Sequence, residues 1–122
     1  MRFAQDSPTG LNVIRAYGNG ELRVNENVYR GAVILSAATV IADANIQNLD
    51  DLIAIDVART LALEPELVLL GTGARQIFPN PSFGAQFLRA GIGFEVMDTS
   101  AACRTFNVLV GEQRRVAALL LV

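Results

Sequence analysis

The order of elements between Pro65 and Asn107 constrains this chain most: an apolar run, a glycine turn, a proline-started helix, a second apolar run, then another helix. Leu67-Val68-Leu69-Leu70 leads into Gly71-Thr72-Gly73-Ala74-Arg75, and Gly93-Phe94-Glu95-Val96-Met97 leads into Asp98-Thr99-Ser100. Two strand-then-turn units joined by a helix form a βαβ unit. Such connections are right-handed in nearly all proteins, so the strands are parallel and both turns open on one edge of the sheet. That edge is where a site is expected.

The flanking segments read as follows. From Leu11, Gly18-Asn19-Gly20 and Asn25-Glu26-Asn27 punctuate an antiparallel meander with one buried face, preceded by a lead-in over residues 1–10. Gly31 is expected to be a bulge before Ala32-Val33-Ile34-Leu35, an unbroken apolar run suited to a sheet covered on both faces. After the β-prone Val40-Ile41-Ala42, Asn48 is expected to cap a helix over residues 49–63. Asp50 and Asp51 complement its dipole, Leu52, Ile55, Ala58 or Arg59, and Ala62 recur at helical spacing as its stripe, and Pro65 closes it. Asn80 caps a short helix opened by Pro81, with Phe83, Phe87 and Leu88 as its stripe and Gly91 at its end. A helix over residues 99–111, capped by Asp98 or Thr99, turns Ala102, Phe106, Leu109 and Val110 inward. Val116 to Val122 then reads as a sandwiched strand after the turn at residues 111–115. The expected class is α/β, with residues 1–122 forming one domain.

Missing residue types narrow the chemistry. Without His or Lys there is no imidazole base, Ser-His or Cys-His pair, Schiff base or P-loop lysine, and one Cys makes neither an internal disulfide nor a cysteine metal site. No catalytic residue is assigned and no cofactor is expected. Asp43, Asp50, Asp51 and Asp56 match no Ca²⁺ loop, so no metal is expected either. The ten basic residues are all arginines, scattered from Arg2 to Arg115 in a chain of net charge −2. With no basic run to follow a phosphate backbone, nucleic acid is not an expected partner. Apolar runs such as Val116–Val122 fall far short of the ~20 residues of a spanning helix, so no transmembrane segment is expected. Met1 to Pro8 lacks the apolar core of a secretory signal, and the expected compartment is cytoplasmic.

Candidate site residues lie on the shared edge. Gly71, Thr72 and Gly73 can present backbone amides as an anion nest beside Arg75, or can simply form a turn that needs positive φ. Asp98, Thr99, Arg104 and Asn107 can line the same edge as a polar binding cluster, or can brace the scaffold, with Asp98 as helix cap. Cys103 lies early in a helix beside Arg104, but lacks a base and sits among small residues, which favours packing. Ile77-Phe78-Pro79, with Phe83, forms either an exposed apolar lip suited to a partner or a tucked pair of aromatics. Two functions follow: a non-enzymatic domain that binds a protein partner, or a module that binds a small anion or other small molecule, with a weak enzyme as a variant of the second.

The segments 67–73 with Arg75, Val96-Met97-Asp98-Thr99, 101–109 and 112–120, together with the hairpin 22–36, resemble a small domain-of-unknown-function family. This is the Mth938-like family, which includes a mitochondrial NADH:ubiquinone oxidoreductase (complex I) assembly factor. The resemblance spans nearly the whole chain and is most specific over residues 96–109. It implies a three-layer α/β fold: a central mixed sheet with helices on one side and a β-hairpin plus helix on the other, the last strand antiparallel. It implies no established enzymatic activity, and action through protein partners during respiratory-complex assembly.

Overall fold

A computed structural model describes residues 10–122, so all but Gly10 of the expected lead-in lies outside the described residues. Strands β1 (Ile14–Gly18), β2 (Glu21–Val24) and β3 (Asn27–Tyr29) form the antiparallel meander. A second sheet has the order β5-β4-β8-β6-β7, from β4 (Ala32–Ser36), β5 (Val40–Asp43), β6 (Leu67–Thr72), β7 (Gly93–Met97) and β8 (Val116–Leu121). Among the described residues the α-helices are α1 (Ala54–Leu61), α2 (Pro81–Arg89) and α3 (Thr99–Gly111).

The sheet is mixed because β8 lies at its centre. It runs parallel to β6 and antiparallel to β4, so the antiparallel last strand implied by the resemblance holds only on its β4 side. The crossover through α2 runs outward from β6 to β7, and the crossover through α3 runs back past β6 to β8. Connections of one hand travelling in opposite directions place their helices on opposite faces. The core divides accordingly. Val33, Leu35, Leu69, Ala118 and Leu120 pack with Phe106 of α3 and with Leu22 and Val24 of the small sheet. Ile34, Val68, Leu70 and Leu119 turn the other way, onto Val57 of α1 and Phe83 and Phe87 of α2. The strands alternate, yet both faces are apolar, which is why β4, β6 and β8 read as unbroken runs.

Three local expectations are corrected. The helix expected over residues 49–63 is broken: a 3-10 turn at Leu49–Asp51 precedes α1. Asn48 caps that turn, and the Asp51 carboxylate accepts the N–H groups of Gln47 and Asn48. Asp56 then accepts the Ile53 N–H at 2.8 Å, starting a second helix. That restart rotates the stripe: Asp56, Val57 and Thr60 are buried, and Ile55 is 60% exposed. Arg59 joins Asp56 at 2.7 Å and Asp43 at 2.9 Å, tying α1 to the end of β5. The Arg59 hydrogen bond, then the Asn45 N–H, hold Asp43 below the usual carboxylate range. On α2, Leu88 is 62% exposed, and Gly84 takes the inward place. Gly31 is not a ladder bulge. It joins the two sheets where a Cβ would come within 2.5 Å of the Ala44 Cα.

Gly84 lets α2 approach β7. A Cβ there would lie 2.7 Å from two carbons of the Phe94 ring, which is stacked on Phe87 at 5.3 Å and set edge-on to Phe83. Overpacking of ~1–3 kcal/mol should outweigh the ~1 kcal/mol gained in helix propensity. Gly84→Ala is therefore expected to destabilise by about 1 kcal/mol in denaturant unfolding; a stabilised variant would contradict this packing.

Candidate functional site

The two post-strand turns meet. Strand β6 continues through Gly71 and Thr72, beyond the run expected from sequence, and turns at Gly73, whose φ of +92° suits glycine. The Gly73 N–H donates to Thr99 Oγ1 at 2.7 Å, and the Thr99 N–H donates back to the Gly73 carbonyl at 2.9 Å. The Thr99 hydroxyl donates in turn to the Leu121 carbonyl at 2.6 Å. One fully buried side chain thus joins the ends of β6 and β8 to the start of α3. Gly71 permits this approach, since a Cβ there would stand 2.9 Å from Thr99 Oγ1 and 3.0 Å from its Cα.

Thr72 closes the rest of the turn. Its hydroxyl donates to the Arg75 carbonyl at 2.5 Å, reaches the Met97 carbonyl at 3.3 Å and accepts the Ile77 N–H at 3.0 Å. Arg75 is exposed, and it gives the turn its backbone carbonyl. Because the Gly73 amide is already bonded, an anion at Gly71–Gly73 would have to displace the Thr99 hydroxyl.

The second constellation separates along α3. Asp98 is the helix cap, accepting the Ala101 N–H at 2.8 Å. Arg104 is exposed and bonds Ser100 Oγ at 2.8 Å, one turn back. Asn107 holds the backbone of Ile14: its carbonyl accepts the Ile14 N–H at 2.9 Å and its amide donates to the Ile14 carbonyl at 2.8 Å. The bond pair sits beside the irregular register of β1 between Ile14 and Ala16. Arg104, Asn107 and Cys103 line a small cavity of about 150 Å³ against β1. Burial pushes the Cys103 thiol up to about 11, against the opposing pull of Arg104, so it is protonated at neutral pH.

A larger open groove lies on the α1/α2 face. Its volume is about 630 Å³, and its walls are the segment 47–54, Thr72 and Gly73, the loop 77–80, the first turns of α2 and the end of β8. Of the site residues expected from sequence, only Thr72, Gly73 and Phe78 line it; Arg104 and Asn107 line the other cavity. Phe83 is buried at its base, whereas Ile77 and Phe78 are exposed on its rim, Phe78 by 72%. The two aromatics of the expected lip therefore part company. The wall at residues 47–54 was missed, although one signal was present: Asp51 and Asp56 each follow by three residues a position whose N–H needs a partner, the spacing of two caps rather than one helix.

Replacing Thr99 by Val keeps the shape but leaves the half-buried Gly73 N–H and the buried Leu121 carbonyl without the hydroxyl they share. At ~1–3 kcal/mol for an orphaned buried group, and about 1 kcal/mol for the half-buried Gly73 N–H that water can reach, Thr99→Val should destabilise by about 2–4 kcal/mol in thermal or urea unfolding. Thr99→Ser, which keeps the hydroxyl, should fall within about 1 kcal/mol of the wild type; equal losses in both variants would remove the hydroxyl from this role.

Comparison with known proteins places the chain. Residues 14–121 match the family described as "Protein of unknown function (DUF498/DUF598)". A protein of Francisella tularensis subsp. holarctica named "13 kDa major membrane protein" is 32% identical over 88% of this chain and 88% of its own length. The Danio rerio "NADH dehydrogenase [ubiquinone] 1 alpha subcomplex assembly factor 3" is 34% identical over 99% of this chain and 70% of its own. The solution structure of a Bordetella pertussis Mth938-like domain superposes with a TM-score of 0.82 at 31% identity, covering 99% of this chain and 92% of that one. Among the described residues no helix is long and apolar enough to cross a membrane. The chain belongs to the DUF498/DUF598 family, with the Mth938-like α/β fold.

Proposed function

We propose that this chain is a single, non-enzymatic protein-binding domain of the cytoplasm that serves the assembly of a respiratory complex. Its docking surface is the groove between the segment 47–54 and the loop 77–80. The exposed ring of Phe78 carries the reading. It stands on the rim beside exposed Ile77 and across from exposed Ile53, an apolar surface at an open groove rather than a scattered residue. Burying such a ring against a partner is worth ~1.5–3 kcal/mol, and aromatic anchors of this kind dominate protein interfaces. The assembly-factor name of the Danio rerio relative supports the choice of partner class. A free, buried thiol suits a reducing compartment. Gly71, Thr72, Gly73, Asp98 and Thr99 shape the edge from beneath, and the engaged Gly73 amide favours this reading over an anion module.

A photo-crosslinking phenylalanine analogue at position 78, compared with one at exposed Val108 on the far helix, tests this in the native host. Position 78 should join specifically to a respiratory-complex component or assembly intermediate, identified by mass spectrometry. No product above that from position 108 would overturn the binding reading, and a specific product outside respiratory assembly would overturn the assigned role.

A further inference from the structure

We propose that the outer edge of β7 accepts an extended segment of a protein partner as a sixth strand, antiparallel, with a Lys or Arg of that segment opposite Glu95. The inference rests on the protein-binding reading and extends it from side chains to backbone. Strand β7 ends the sheet order, so among the described residues no strand pairs with its outer edge. Which groups face outward follows from alternation along the strand. The Gly93 N–H bonds the Glu66 carbonyl, and the Met97 carbonyl accepts from Thr72 Oγ1, so residues 93, 95 and 97 turn their backbone groups toward β6. Phe94 and Val96 therefore turn theirs outward.

One outward group is already held in the manner of a neighbouring strand. Gln76 Nε2, from an exposed loop position, donates to the Val96 carbonyl at 2.9 Å where a strand's N–H would donate, so an added strand displaces only this solvent-exposed side chain. Gln76 immediately precedes Ile77 and Phe78, so the strand edge and the apolar lip adjoin through one residue. Charge selects the occupant. In an antiparallel addition that uses Phe94 and Val96, the partner residue opposite exposed Glu95 sits in a non-hydrogen-bonded pair, where side chains come closest. A second copy of this chain in the symmetric register would place Glu95 against Glu95, which disfavours self-pairing. A basic partner residue is attracted there, and apolar residues on either side of it would extend the row of Phe94 and Val96 on the α1/α2 face.

The probe is the peptide acetyl-Thr-Val-Lys-Val-Thr-amide, titrated into the ¹⁵N-labelled chain, with acetyl-Thr-Val-Glu-Val-Thr-amide as its charge-reversed control. The Lys peptide should move the Phe94 and Val96 amide resonances saturably and slow their hydrogen exchange. The Glu peptide should bind about fivefold more weakly, and in Glu95→Lys, an exposed and structurally mild substitution, that order should reverse. No saturable change at these two amides, or equal binding of both peptides to both chains, would overturn the edge proposal. The crosslink from position 78 reads the groove independently, so the two readings can fail separately.

Discussion

The Thr99 hydroxyl is the interaction on which this edge of the molecule depends. It accepts from the turn after β6 and donates to the end of β8, while its own N–H returns to Gly73. In a sheet where the two crossover helices lie on opposite faces, the loops after β6 and β7 diverge, and such a divergence commonly opens a ligand crevice. Here hydrogen bonds cross it: Thr99 to Gly73, Thr72 to Met97 and Gln76 to Val96. Backbone groups that could have received a ligand hold the scaffold, and the remaining concavity shifts to the α1/α2 face.

That shift explains why the exposed apolar residues cluster on one rim. The loop 73–80 is anchored at its start by Thr72 and at its end by Asn80, whose side chain accepts the Ser82 N–H. Ile77 and Phe78 lie between these anchors on the rim of the groove, while Phe83 and Phe87 take the core positions beneath α2. Across the groove, the break between the 3-10 turn and α1 holds Ile53 outward, since its N–H must face the Asp56 carboxylate. The local capping chemistry and the exposed rim therefore have one cause.

Much of this architecture was legible in the sequence. The βαβ unit, the meander and the buried final strand follow from apolar runs with turn residues between them, and alternation across a doubly covered sheet explains why those runs showed no polar gaps. Helix faces were less legible. Ile55 and Leu88 fit apolar stripes, yet a helix restarted by the Asp56 cap turned the first outward, and a close approach of Gly84 to Phe94 on the next strand turned the second outward. The candidate site was legible as a place but not as an arrangement. The meeting of the two turns follows from topology, whereas the pairing of Asn107 with Ile14, 93 residues away, leaves no local trace. The same holds for the engagement of the Gly73 amide by Thr99.

The account stands on that amide being part of the scaffold rather than a vacant donor. Native-state hydrogen exchange at Gly73, with and without inorganic phosphate, tests it most directly. The expected result is slow exchange, close to the rate set by global unfolding, and unchanged by phosphate. Fast exchange that phosphate slows would show an open anion nest and contradict the account.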